Sequence, residues 1–375
     1  MLPVGRRLPG VRGLIDQKAY FVVHAPRQVG KTTSLRALGR ELTAEGRYAA
    51  ALLSMEVGAG FPEDTGAAEL AILDSWRRAA GSRLPAILQP PPWPEAPPGA
   101  RIGAALQAWS HASPRPLVLF LDEIDALGGP VLISILRQLR DGYSERPADF
   151  PWSLALVGLR DVRDYKAASP GSAADREGRS LGTASPFNIK VRSLTLRDFT
   201  AGEVTELYAQ HTADTGQVFT PDACALAFEL THGQPWLVNA LAKEAVEELV
   251  PDPAQAITPA ILDAAKEALI RRQDTHLDSL AERLREPRVR RIIEPILAGT
   301  ALTSVPEDDL RYVLDLGLVR YGLHGGLEIA NPIYREVIPR SLASIAYAGQ
   351  PRIAQRTQSE PVTTPSGRHV TLIRA

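Results

Sequence analysis

The sequence predicts an α/β core built on a parallel sheet, followed by an all-α segment and a small mixed segment with two short strands. Three observations carry that prediction. Apolar runs without polar alternation occur at 20–23, 117–121 and 154–158. Unbroken apolarity marks strands covered on both faces, which belong to parallel sheets. Helical spacing follows the first run at 33–42 and the second at 130–142, where Val131, Ile135 and Leu139 recur. After Leu196 the pattern turns helical, and strand-like residues return only at 319–321 and 327–329. With 375 residues, 45% of them hydrophobic, the chain has room for two or three domains with real cores.

Residues 1–13 are rich in Arg, Gly and Pro and read as irregular; a short helix is expected at 14–18 before the strand at 20–23. The turn Ala25-Pro26-Arg27-Gln28-Val29-Gly30-Lys31-Thr32 then leads through Thr33 into the helix 33–42. Strand, turn and helix in that order form the setting of a nucleotide-binding phosphate loop (P-loop). Backbone N–H groups of the turn and helix start face phosphate oxygens. Lys31 adds a positive charge near the β and γ positions, and Thr32 offers a hydroxyl to Mg²⁺. Ala25 stands where glycine usually opens such a loop. A Cβ makes positive φ costly, so the tighter conformational demand falls on Gly30.

A second strand is expected at 48–55. A long insertion follows, with helices at 67–80 and 102–110 separated by the tract Leu88-Gln-Pro-Pro-Pro-Trp-Pro-Glu-Ala-Pro-Pro-Gly99. Proline fits neither helix interior nor central strand, so this tract reads as a stiff surface loop. The segment Arg115-Pro-Leu-Val-Leu-Phe-Leu-Asp-Glu-Ile-Asp125 is a buried strand ending in acids. Such carboxylates point into the crevice where α/β folds bind ligands. Asp122 suits a water-mediated Mg²⁺ contact and Glu123 a general base on the attacking water. A P-loop, an intervening strand and then an apolar strand closed by Asp-Glu resemble the additional-strand P-loop ATPases. The resemblance implies ATP and Mg²⁺ as ligands and a parallel sheet of order 5-1-4-3-2. It also implies a polar γ-phosphate sensor after the fourth strand, 154–158, for which Arg160 is the candidate and Asp161 the second. Residues 166–186 read as a mobile loop near the site, and 188–194 supplies the fifth strand.

Past the core, Thr200 and Glu203 form a capping box, and helices are expected at 221–230 and 236–249. Between them Gly233 ends one helix and Pro235 opens the next. Gly-x-Pro in a helical lid resembles the signal-transduction (STAND) and archaeal-type ATPases, which implies that Pro235 lies near the nucleotide base. The arginine that proteolytic and unfoldase rings place in the lid is missing at this point. The segment 287–342 resembles a winged helix: helices at 289–297 and 307–317, a wing of 319–321 and 327–329 around His324-Gly-Gly, and a helix at 331–338. The resemblance covers 14–342. It divides the chain into an ATPase core (1–196), a helical lid (197–275), a winged-helix domain (276–345) and a tail (346–375) whose polar composition reads as disordered.

A net charge of −1 supplies no global field for nucleic acid or membrane. The lone Cys224 excludes an intramolecular disulfide framework and a zinc pattern. No run reaches membrane-spanning length and no signal-peptide core opens the chain, so a cytoplasmic protein is expected. Arg283, Arg285, Arg288, Arg290 and Arg291 could meet DNA phosphates or pair with Glu282, Glu286 and Glu294, the Glu286–Arg290 spacing being i,i+4. The acidic helix 308–316 argues against groove insertion, so DNA is the less favoured partner. After Glu360 no acidic residue remains, so the nuclease-like domain of some relatives is not expected. The favoured function is a Mg-dependent ATPase switch acting on a protein partner. The alternatives are a DNA-associated ATPase of initiator or transposition-regulator type and a non-hydrolysing nucleotide scaffold. The oligomeric state stays open, with Arg137, Arg140 and Arg163 as candidate arginine fingers.

Overall fold

The computed structural model describes residues 2–159, 189–272, 282–302, 305–322, 325–348, 359–363 and 369–373. Five strands, β1 (Tyr20–His24), β2 (Ala49–Ser54), β3 (Leu117–Asp122), β4 (Ser153–Gly158) and β5 (Arg192–Thr195), form one sheet in the order β2-β3-β4-β1-β5. Every neighbouring pair is parallel, with Tyr20 beside Leu154, Phe21 beside Arg192 and Ser54 beside Asp122. This is the expected order, 5-1-4-3-2, read from the other edge.

Alternation along each strand splits the core in two, because successive side chains point to opposite faces. Tyr20, Val22, Leu119 and Leu121 pack on one face with α4 (Thr65–Arg83), α5 (Arg101–Ala112) and α6 (Gly129–Asp141). Phe21, Val23, Val118 and Phe120 pack on the other with α2 (Val11–Asp16) and α3 (Lys31–Ala44). The apolarity of β1, β3 and β4 therefore reflects double coverage. Edge strand β5 has one neighbour, and Arg192 and Thr195 are exposed.

The N-terminal segment corrects the irregular reading of 1–13. It holds α1 (Val4–Arg7) and α2, whose Val11, Leu14 and Ile15 are buried at helical spacing. Burial of that stripe outweighs the weak propensity of its glycines and prolines. The proline tract is a loop, as expected, but an anchored one. Trp93 donates its indole N–H to Leu73 O at 3.0 Å and stacks edgewise on Trp109.

The lid consists of α7 (Ala201–Thr215), α8 (Pro221–Thr231), α9 (Pro235–Lys243) and α10 (Pro259–Arg272), with the Thr200–Glu203 capping box formed. The helix expected at 236–249 is α9 followed by a π-helical turn, Glu244–Leu249. Next come α11 (Pro287–Ala298), α12 (Glu307–Asp315), the antiparallel pair β6 (Val319–Tyr321) and β7 (Leu327–Ile329), and α13 (Pro332–Ala348). Lid and winged-helix segment share one apolar cluster running from Phe199 to Ile338. Within the tail read as disordered, the described residues hold two strands, β8 (Ser359–Thr363) and β9 (His369–Ile373), which pair antiparallel; 349–358 and 364–368 lie outside the described residues. Alternation of polar and β-favouring residues in His369-Val-Thr-Leu-Ile373 is compatible with such a pair.

Candidate active site

The parallel sheet brings the ends of β1, β2, β3 and β4 to one edge, where the loop 25–30 turns into α3. Two loop positions are left-handed, Gln28 at φ 58° and Gly30 at φ 83°. Ala25 is not among the positive-φ residues, which is why alanine serves where glycine is usual. Instead Ala25 is buried and donates its N–H to Gly158 O.

Lys31 folds back over its own loop, donating to Ala25 O at 2.7 Å and Pro26 O at 2.8 Å. Burial lowers its ammonium to about 8, against the pull of Asp125 and Asp122. Thr32 Oγ1 donates to Asp122 Oδ2 at 2.6 Å. Asp122 is 2% exposed, and burial raises its carboxyl despite the threonine bond.

Glu123 follows at φ 59°, a left-handed conformation that turns the chain sharply away from β3. Its Oε2 accepts from Ser54 Oγ at 2.7 Å. Glu56 has its carboxyl raised, chiefly by the Glu123 charge. Asp125 accepts from Leu159 N at 3.2 Å, tying the end of β4 to the acidic turn. Asp122, Glu123 and Asp125 thus share the sheet edge with Lys31 and with the hydroxyls of Thr32 and Ser54. A hard-oxygen set whose buried carboxylate is short of positive charge fits Mg²⁺, with Thr32 and Asp122 as its holders.

Ser54 was not singled out in the sequence. The signal was its position, a lone hydroxyl closing the apolar run Ala-Ala-Ala-Leu-Leu, in register with Asp122. Arg160, the candidate sensor, lies outside the described residues, as do Asp161 and Arg163. Arg27 is exposed at the loop tip, and Arg137 and Arg140 are exposed on α6.

A cavity of about 500 Å³ opens between the loop and the lid. Gln28, Gly30 and Thr33 line one side, and Pro235, Trp236 and Asn239 the other. The structure therefore brings Pro235 to the same space as the loop. On the loop's opposite flank, Pro26 and Arg27 share a smaller cavity with Gly317, Asn331 and Tyr334 of the winged-helix segment.

The basic run is internally paired. Arg283 and Arg288 hold Glu286, Arg285 holds Glu282, Arg290 holds Glu294 at 2.8 Å and Arg291 reaches Asp309 at 3.7 Å. Glu286 is not the i,i+4 partner of Arg290, because it is the N-cap of α11 and turns toward Arg283 and Arg288. Among the described residues no helix is long and apolar enough to cross a membrane.

No protein-family model matches the sequence, and no curated protein matches it. Among solved structures, the chain is similar to the Walker-type ATPase of Pyrococcus abyssi, with 15% identity, a TM-score of 0.59 and coverage of 90% of this chain and 94% of that one. It is also similar to the RuvB Holliday junction branch migration motor of Thermotoga maritima (16% identity, TM-score 0.45, 88% and 91% covered). A third match is the Orc1 protein of Aeropyrum pernix in complex with DNA (14% identity, TM-score 0.46, 93% and 94% covered). The first of these likenesses, at low identity, is one of fold: the chain has the architecture of a P-loop ATPase.

Proposed function

We propose that this protein binds Mg·ATP through residues 25–33, hydrolyses it, and uses the cycle as a switch read by a protein partner. The observation that carries this reading is the convergence of Lys31, Thr32, Asp122 and Glu123 on one sheet edge, with Thr32 Oγ1 2.6 Å from Asp122 Oδ2. The loop from Ala25 and Pro26 wraps the phosphates, with backbone N–H groups from Arg27, Gln28, Val29 and Gly30; Pro26 has none and Ala25 gives its own to Gly158 O. Lys31, now satisfied by two loop carbonyls, exchanges them for phosphate oxygens. Mg²⁺, when bound, neutralises charge on the phosphate chain. Glu123 takes a proton from the attacking water, and Ser54 holds its carboxylate until substrate arrives. Pro235 bounds the space for the base. The arginine run is committed to ion pairs, so no observation favours the DNA-associated reading.

The test is phosphate release by the full chain with ATP and Mg²⁺, with EDTA, and with Lys31→Ala. Release that needs both Mg²⁺ and Lys31 is expected. ATP binding without release, under any added partner, would instead support the scaffold. Equal ATP affinity in Lys31→Ala and wild type would remove the P-loop assignment.

A further inference from the structure

Among the described residues, the cavity between loop and lid has one charged side chain in its lining, and it belongs to no motif. Arg7, at the end of α1, is 4% exposed and borders this space beside Gly30. Its Nη2 donates to Val29 O at 2.7 Å and to Arg197 O at 2.7 Å, and its Nε donates to Arg197 O at 3.0 Å. The guanidinium lies 4.7 Å above the Phe199 ring. All these acceptors are neutral. Two acids lie near this cluster: Asp198, whose charge acts on Arg7 most, and Glu203, which Arg197 holds at 2.6 Å; among the described residues neither forms an ion pair with Arg7. Burying a cation without a directly paired anion is costly, and neutral carbonyls with a more distant Asp198 offset only part of that cost.

One nitrogen is left over. Nη1 lies 3.5 Å from where a Cβ on Gly30 would stand and has no acceptor among the described residues. Gly30 is the N-cap of α3, so the free N–H edge sits beside a helix start whose own N–H groups attract anions. We propose that Arg7 is a phosphate-binding residue, its Nη1 edge contacting the phosphate chain of a nucleoside di- or triphosphate. The rest of its guanidinium clamps the loop to the linker into the lid. This inference rests on the nucleotide reading of residues 25–33. Burial lowers the guanidinium to about 10, which leaves it charged at neutral pH. The site would discriminate phosphate from none, and the linker carbonyl at Arg197 would register whether the anion is present.

The experiment titrates ADP and adenosine into the full chain, comparing wild type, Arg7→Gln and Arg7→Lys. Loss of a charge-assisted contact predicts ADP binding weaker by about 10- to 100-fold in Arg7→Gln. Adenosine affinity should change by less than about 2-fold, because the nucleoside meets no charge at Arg7. Should Arg7→Gln lose its cooperative melt, Arg7→Lys decides by the same criterion, since it keeps the charge but cannot hold both carbonyls and offer a free planar edge. Unchanged ADP affinity in a folded variant would overturn the inference, as would an equal loss of ADP and adenosine. Wild-type protein that binds no ADP would instead overturn the nucleotide reading beneath it.

Discussion

Gly233→Ala tests whether the lid's Gly-x-Pro is a steric necessity or an ordinary helix break. Gly233 sits at φ 78°, where an alanine costs about 1–2 kcal/mol. Space makes it worse. A Cβ there would run into the carbonyl oxygen of Phe199 and lie 2.8 Å from its carbon. These are backbone atoms, so no rotamer change relieves the contact. Phe199 N also donates to Gly233 O at 2.9 Å, and separating the two segments forfeits that bond, about 1 kcal/mol. Displacing Phe199 opens its packing in the lid cluster, adding about 1–3 kcal/mol. The expected loss is therefore about 3–6 kcal/mol. Gly216→Ala supplies the control, because Gly216 has nearly the same φ, 83°, and nothing within 4 Å of its would-be Cβ. Urea unfolding followed by circular dichroism should show Gly216→Ala losing only the backbone term. A Gly233→Ala protein no less stable than Gly216→Ala would refute the steric account.

Three further outcomes follow from the same geometry. Glu123→Gln should still bind ATP, through Lys31, Thr32 and Asp122, while steady-state phosphate release falls by roughly 10²-fold or more; an unchanged rate would move the base elsewhere. Because burial holds Lys31 at about 8, ADP affinity measured by calorimetry should weaken as pH rises above about 8, while the ligand-free protein gains stability from Lys31 between about 8 and 10.5, where only the unfolded chain keeps the proton. Glu203 is held down to about 2, first by its Arg197 bonds, so its contribution is present at neutral pH and lost as pH falls from near 4.5 toward about 2. Glu203→Gln should flatten acid unfolding in that window and cost about 1–2 kcal/mol at pH 7, discounted for the half-open arginine.

The sheet was legible because its information is local. A doubly covered strand must be apolar throughout, and the runs in β1, β3 and β4 are; their order followed from the resemblance. The P-loop and the acidic strand end were legible because phosphate and metal chemistry demand particular residues at fixed spacing. What escaped shares one feature, long sequence separation. Arg7 is invisible as a site residue until α1 is laid against a linker 190 positions later. Ser54 looks like any strand-closing serine until β2 pairs with β3. The helices at 4–16 were hidden by their glycines and prolines, since burial of Val4, Val11 and Ile15 decides them. The Arg290 pairing was misjudged for a local reason, since Pro287 starts the helix and leaves Glu286 outside its face.

The P-loop is gripped from both sides. On one flank Arg7 binds Val29 O and Arg197 O, and Phe199 in turn locks to Gly233 between α8 and α9. On the other, Gly317 approaches Pro26 so closely that a Cβ would sit 2.8 Å from its ring. The winged-helix segment is joined back to the lid where His232 Nδ1 meets Ala330 O at 2.8 Å. Close-packed interiors transmit displacement rather than absorb it. If Lys31 leaves Ala25 O and Pro26 O for a phosphate, the carbonyls it releases belong to the residue touching Gly317 and its neighbour. A shift there of even half an ångström cannot be taken up at a contact with no side chain to rotate. The lid and the winged-helix segment, which share one apolar cluster, would have to respond together. Coupled movement of this kind is what the proposed switch requires, and the close approaches at Gly233 and Gly317, with one buried arginine, are where it would be carried.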